Sequence, residues 1–468
     1  MYKYIFLSLF AATGLQAQTQ LKLEDCIELA IKNNFQIKQS EMQVESSINQ
    51  YNQTKFSQLP AVAGFLNQGY NLGRTIDPYS NDVVTNQIGT NNMGVRADWV
   101  VFNGFQNKKQ LEQQMLQLKA SKYDVETAKN TIKLNVILAY MQILSANELL
   151  EVAQNQALAS KLQLEKVEKL VKLNVTSESN LYDIKAQLAS DEFQITNAKN
   201  NYRSAKLRLK QLLNISSDKE INFEGISLEN IQISPNLQIQ SEVLDFAENS
   251  FPEIKAGKTR LLTHQKGIEI INNMKFPTIT LSGAWGTSYS SAAKKAIIGE
   301  KFSESFTNQY ININNTQVPV MQIVPDISTK KIGFTNQLGN NNNLSFGLNI
   351  RIPIFNTTQQ KYRLENVKIQ QKIAQNEVTN IRLQLQQAIE QAFIDRDNAA
   401  ERYESLQNQL IALEKAFNVA EIKLSTGIIN PIDYTITKTN FDKAKANAIQ
   451  AKYEYFFRVK IVDFYQGK

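Results

Sequence analysis

The sequence predicts a mixed fold. Very long α-helices are joined to membrane-type β-strands, in two copies of one helix-strand-strand-helix-helix unit. Three observations carry this reading. Gly104–Lys172 and Thr357–Ser425 are each 69 residues long, with no proline and no internal glycine. At 1.5 Å per residue each spans about 100 Å as a helix. Four segments of about ten residues alternate apolar with small or polar side chains, the pattern of outer-membrane strands. The chain also repeats itself once. Composition agrees: among 468 residues there are only 9 prolines and 18 glycines, which favours long helices over a loop-rich fold.

The first residues read as an export signal outside the fold. Lys3 precedes the apolar run Tyr4–Ala12, and Gly14-Leu-Gln-Ala17 offers a small residue for cleavage after Ala17. The mature chain then starts at Gln18, and Cys26, in Leu23-Glu-Asp-Cys26, is expected as a buried helix position. There is one cysteine and one histidine, His264, so an internal disulfide and a Cys/His zinc site are excluded. Lys and Arg number 51 against 44 Asp and Glu, spread without a basic block, so nucleic-acid binding is not indicated. No apolar run approaches the roughly 20 residues of a membrane-spanning helix. Nothing points to an enzyme, a cofactor or a metal: no phosphate loop, paired-carboxylate motif or nucleophile elbow stands out. His264 reads as an ordinary helix residue.

The repeat aligns Ile27–Lys38 with Leu244–Lys255 and Pro60 with Pro277, an offset of 217. Beyond the second proline the offset becomes 253, matching Val101-Phe-Asn103 to Ile354-Phe-Asn356. Copies of this length are a duplicated domain, not a solenoid. The expected divisions are 1–17 signal, 18–214 first repeat, 215–241 linker and 242–468 second repeat. Each repeat opens with a helical stretch, Leu23–Leu59 or Val243–Lys275, that ends at its proline.

The strands are expected at about 61–72, 88–101, 278–289 and 344–353. Ile279, Leu281, Gly283 and Trp285 alternate with Thr278, Thr280, Ser282 and Ala284. Leu344, Phe346, Leu348, Ile350 and Ile352 alternate with Ser345, Gly347, Asn349 and Arg351. Met93, Val95, Ala97 and Trp99 do the same. Trp99, Trp285, Tyr289 and Tyr70 suit interfacial positions. A soluble half-buried sheet has the same period. The membrane reading is preferred because export and 100 Å helices need explaining too. Four strands cannot close a barrel, for which about eight are the minimum, so several chains would have to pool theirs. The loop Gly73–Asn86 is short, and Ser290–Asn343 is expected as a long polar loop of 54 residues.

Each long helix ends in a tight hairpin, at Leu173–Ser177 and at Thr426–Pro431. Asn174 and Gly427 suit a left-handed helix end, and Pro431 a first helical turn. The helices that follow carry heptad seams. Leu181, Ile184, Leu188, Asp191, Ile195, Ala198, Tyr202, Ala205, Leu209 and Leu212 form one, with Asp191 its only polar member. Tyr434, Thr437, Phe441, Ala444, Ala448, Ala451, Tyr455, Arg458, Val462 and Tyr465 form the other. Taken alone, such seams favour a long soluble coiled coil.

Together, Leu23–Lys38, the proline before the first strand, Phe102-Asn-Gly104, the duplication and Ile461–Gly467 resemble the outer-membrane efflux proteins typified by TolC, over the whole mature chain. The resemblance implies a homotrimer with a 12-stranded outer-membrane β-barrel joined to a periplasmic α-helical barrel. It implies an exit duct for tripartite efflux or type I secretion, docked to a periplasmic adaptor and an inner-membrane pump of RND or ABC type. It would sit in a Gram-negative outer membrane with a large periplasmic part, the linker lying in a belt around the middle. Trp99, Ile279, Leu281, Trp285, Leu344, Phe346, Leu348 and Ile350 would face lipid. Asn174, Val175, Gly427 and Ile428 would be the docking tips. Asp433 would be the pore-constricting acid, with Asn180 at the equivalent first-repeat position and Asp183 one turn further along. Leu424, Ile429 and Ile436 stand where the family has latch and gate residues. The alternative is a periplasmic coiled-coil adaptor with no barrel.

Overall fold

The computed structural model describes residues 20–76, 81, 83–85, 87–216, 218, 221–225, 240–314, 316–355 and 357–467. The expected signal segment 1–17 and most of the expected linker, 226–239, lie outside the described residues. The elements in order are β1 (Gln20–Leu21), α1 (Leu23–Asn33), α2 (Phe35–Phe56), β2 (Ala61–Asn71), β3 (Thr75–Ile76), β4 (Val83–Val84) and β5 (Ile88–Asn103). Next come α3 (Gln106–Lys172), α4 (Glu178–Leu212), β6 (Asn222–Phe223), α5 (Gln240–Ser250), α6 (Pro252–Asn273), β7 (Thr278–Ser290) and β8 (Lys294–Ile313). The chain finishes with β9 (Thr316–Lys331), α7 (Phe334–Asn340), β10 (Asn343–Arg351), α8 (Thr357–Ser425) and α9 (Pro431–Tyr465). It divides into two compact units: a helical one, from the residues up to Ile48 with Met115–His264 and Gln370–Lys468, and a sheet unit, from Asn49–Gln114 and Gln265–Ile369.

The helical unit has two apolar cores. In one, Cys26, Ala30 and Ile37 pack on Ile132, Val136, Tyr140 and Leu144 of α3 and on Leu209 of α4. Tyr140 is wholly buried, and its hydroxyl donates to the carbonyls of Leu21 and Glu224 at 3.1 and 2.6 Å, beside the parallel β1–β6 pair. Burial pushes the Cys26 thiol up to about 12, helped by Asp25 and Glu24, so it carries no thiolate at neutral pH. In the second core Val243, Ala247 and Phe251 pack on Ile389, Ala392, Phe393 and Val462.

Both opening helical stretches are broken in two, against expectation. At Asn34 the backbone turns extended, and its side-chain oxygen accepts from the Gln36 and Ile37 N–H groups at 2.8 and 3.3 Å. Asparagine thereby caps α2 and competes with helix continuation. Pro252 opens α6, where its missing N–H leaves no bond unmade. A third difference concerns α3. It contains an 18-residue stretch of mean hydropathy 1.3, apolar enough to cross a bilayer by length and composition. Half of that stretch is buried, and the buried run through Val136–Leu144 belongs to the first core.

The sheet unit is built on one four-stranded antiparallel sheet in the order β10-β7-β5-β2. Among the described residues its outer strands, β10 and β2, each have an unpaired edge. The chain leaves β5 through Gly104 and Phe105, both at positive φ. A side chain at Gly104 would meet the Asn273 carbonyl and the Phe276 Cβ at 2.6 Å, so only glycine fits this corner. Lys109 and Lys266 alternate with Glu112 and Glu269 at 2.8–3.3 Å, tying α3 to α6.

The segment expected as a long polar loop is ordered. β8 and β9 form an antiparallel ribbon of 20 and 16 residues, followed by α7. Two register shifts, at Ile298/Phe302 and Phe306/Tyr310, interrupt its alternation. Each shift gives β8 two extra residues against β9, so Ile298, Phe302, Phe306 and Tyr310 stay on one face but recur only at every fourth residue.

Candidate functional site: sheet face, hairpin tips and a buried ionic cluster

Cross-strand partners share a face of a sheet, so the register alone sorts the side chains. Leu348 pairs with Leu281, Ile350 with Ile279, and Leu344 with Trp285. Trp285 in turn pairs with Val95, Leu281 with Trp99, and Val95 with Gly64. The eight residues named from the sequence, Trp99, Ile279, Leu281, Trp285, Leu344, Phe346, Leu348 and Ile350, therefore occupy one face. Phe346 is 79 % exposed and Leu348 65 %, and Val62 and Leu66 extend the same surface on β2. The opposite face carries Thr280, Ser282, Asn349 and Arg351 with Arg96 and Asp98, whose side chains pair at 2.8 Å. The Trp99 indole donates to the Gln58 carbonyl at 2.9 Å, at the end of the sheet where α2 arrives. Tyr289, at the other end, packs edge-on against Phe334 with centroids 5.0 Å apart.

The hairpin tips share one backbone solution. At the first, Asn174 has φ +56°, the Val175 N–H donates to Leu170 and the Asn174 N–H to Val171, both at 2.9 Å. At the second, Gly427 has φ +74°, the Ile428 N–H donates to Lys423 at 2.8 Å and the Gly427 N–H to Leu424 at 3.2 Å. Both are Schellman closures with the left-handed residue just past the helix. Val175 and Ile428 stand 68 % and 70 % exposed, one at each tip. Asn430 caps α9, its side chain accepting from the Asp433 N–H at 2.8 Å. At the first tip Ser177 makes no such bond; Thr176 instead accepts from the Asn180 amide at 2.7 Å.

Asp433 lies exposed in the first turn of α9, and its carboxylate makes no ion pair among the described residues. Asn180 and Asp183 are half-buried on α4. Among the described residues no bond joins Asp433 to either. The link between α4 and α9 comes further along, at residues that sequence reasoning did not assign to the site. Lys438, its side chain 3 % exposed, holds Asp191 at 3.1 Å and Asp442 at 2.8 Å. Asp191 also accepts from the Ser160 hydroxyl at 2.5 Å and from the Gln187 amide at 2.8 Å, so α3 joins as well. Burial pushes the Asp442 carboxyl above its ordinary range, more strongly than Lys438 pulls it down. Asp191 as the lone polar member of an apolar seam was the signal for this cluster; its partner could not be named without the packing.

A cavity of about 750 Å³ adjoins the cluster, between α3, α4 and α9, lined by Met141, Gln156, Gln187, Tyr453 and Phe457 among others.

The family model for outer membrane efflux protein matches residues 26–214 and 243–456. No curated protein matches the sequence significantly. Solved structures do. The open-state MtrE outer membrane channel of Neisseria gonorrhoeae superposes with a TM-score of 0.72 at 18 % identity, covering 95 % of this chain and 88 % of that one. The CmeC outer membrane channel of Campylobacter jejuni gives 0.72 at 17 %, covering 95 % and 85 %. The outer membrane protein VceC of Vibrio cholerae gives 0.71 at 12 %, covering 95 % and 96 %.

Proposed function

Because this chain belongs to the outer membrane efflux protein family, we propose that it is the exit duct of a tripartite efflux or type I secretion system. Three copies pool their sheets into one 12-stranded barrel in the outer membrane, and their helices form a periplasmic tube. The observation that supports this best is the sheet. It has four strands, two unpaired edges and one exposed apolar face. Lipid tolerates the apolar face but not the edges, so the edges must be closed by other copies. Two hairpin tips of the same geometry, each ending in an exposed aliphatic side chain, suit packing against the helical hairpin of an adaptor that connects to a pump. In the periplasmic mouth Asp433 of each copy would face the three-fold axis, where like charges repel and cations are drawn in.

The reading of the chain as a soluble periplasmic coiled-coil adaptor, which the heptad seams alone favour, leaves the apolar sheet face uncovered. Mass photometry of the detergent-solubilised protein tests the proposal, and should give a particle near three times the chain mass. A monomer of native helicity would overturn it.

A further inference from the structure

The β8–β9 ribbon begins with a feature that a two-stranded structure avoids. Lys294 pairs directly with Lys331, and Lys295 with Lys330. Cross-strand partners have Cβ atoms about 5 Å apart, and like charges there repel. All four lysines are exposed, and among the described residues none has an acidic partner within ion-pair distance. The acids of the ribbon, Glu300, Glu304 and Asp326, lie further along, beyond the start of the first register shift.

The stem that carries these pairs is rigidly anchored. Gln337 of α7 is 1 % exposed and fully engaged: its oxygen accepts from the Ser290 N–H at 2.9 Å, and its amide donates to the Ser290 and Ile332 carbonyls at 3.0 and 2.8 Å. The Ile332 N–H closes on Ala293, which is 1 % exposed, and Gly89 and Ser291 exchange bonds at 2.9 Å. The backbone carrying the lysines is thus held just past the end of β7, with Lys294 five residues after Tyr289 and Lys331 three before Phe334, the two members of the ring pair. The apolar face of the sheet ends there and the interfacial aromatics sit there.

We infer that the four stem lysines form an anion site for the phosphate groups of outer-leaflet lipid. The inference rests on the outer-membrane reading above. A fixed cation pair at an aromatic belt is where a lipid phosphate lies, and charge-assisted bonds to it would relieve the repulsion. One pair lies on each face of the ribbon, but the two are successive, about 3.4 Å apart along the strand, so they stand at the same level, and lysine has a flexible four-carbon stem. Both pairs can therefore reach one bilayer surface.

The test uses the full-length protein in nanodiscs of phosphatidylcholine, titrated with diphosphorylated lipid A and followed by microscale thermophoresis. The quadruple variant K294Q/K295Q/K330Q/K331Q should bind at least tenfold more weakly than wild type and lose the salt dependence. The quadruple Lys→Arg variant should retain both, which separates loss of charge from loss of fold. Equal affinity of the Gln variant and wild type would overturn the inference. So would competition by inorganic pyrophosphate at the concentration at which lipid A binds, since the site would then take soluble phosphate. Fractionation of wild-type cells tests the underlying reading separately: protein absent from the outer membrane overturns that reading even if lipid A binds in nanodiscs.

Discussion

Lys438 stands between two carboxylates in a place that water does not reach, and the balance among the three decides what each contributes. Removing one partner of a buried pair leaves the other charge uncompensated, typically at about 3–5 kcal/mol. Lys438→Met should therefore lower the denaturation midpoint strongly, while Lys438→Met with Asp191→Leu should recover most of the loss. Asp442 behaves differently. Its carboxyl titrates above the ordinary 3.8 because burial outweighs the pairing with Lys438. A raised folded pKa contributes stability that is fully present below the unfolded value and is lost as pH rises through the folded one. Asp442→Asn should then be more stable than wild type at neutral pH, by a margin that closes as pH falls into the carboxylate range. A margin that widens on acidification contradicts this assignment. Asp433, in contrast, is exposed and unpaired among the described residues. Asp433→Ala should leave assembly intact, raise single-channel conductance in planar bilayers and weaken cation selectivity. Unchanged conductance would overturn Asp433 as the proposed constriction, with Asp183 the next residue to substitute.

For whole elements, register is the property with the sharpest consequence. Leu348 and Asn349 are neighbours in β10 on opposite faces, the first beside Leu281 and the second beside Thr280. An arginine on the lipid side near mid-bilayer costs about 2–4 kcal/mol, and one on the other side costs little. Leu348→Arg should therefore reduce the folded protein recovered from membranes far more than Asn349→Arg; equal recovery would reverse the faces. In this sheet β7 and β10 were the most legible, because they alternate strictly; β2 was weaker, its apolar face marked by Val62, Leu66 and Tyr70, and β5 loses its alternation at the Val100/Phe102 register shift. The long helices were legible because neither proline nor internal glycine interrupts them. The ribbon was not legible, because the two-residue bulges at Gly299–Lys301 and Thr307–Gln309 leave Ile298, Phe302, Phe306 and Tyr310 four residues apart, with no alternation between them to read. The helix break at Asn34 was hidden for another reason: asparagine is tolerated inside helices, and only the extended backbone shows that here it caps. At the tips the sequence named the turning residues, since Asn174 and Gly427 suit positive φ. It named Asp191 as an oddity without its partner, because Lys438 lies 247 residues away.

For the molecule as a whole, the two unpaired sheet edges carry a genetic consequence. In the proposed trimer, a barrel closed by three chains is only as sound as its weakest seam. A chain with a disabled β10, such as Gly347→Pro, keeps its β2 edge and its helices, and so still enters assemblies. Its defect is then inherited by the sound chains beside it. Expressed with an equal amount of wild type, it should reduce efflux to about an eighth, the share of trimers that contain no defective chain, where independent subunits would retain about half. Dominance of this kind means that, in a cell carrying both alleles, a lesion in one strand outweighs its copy number.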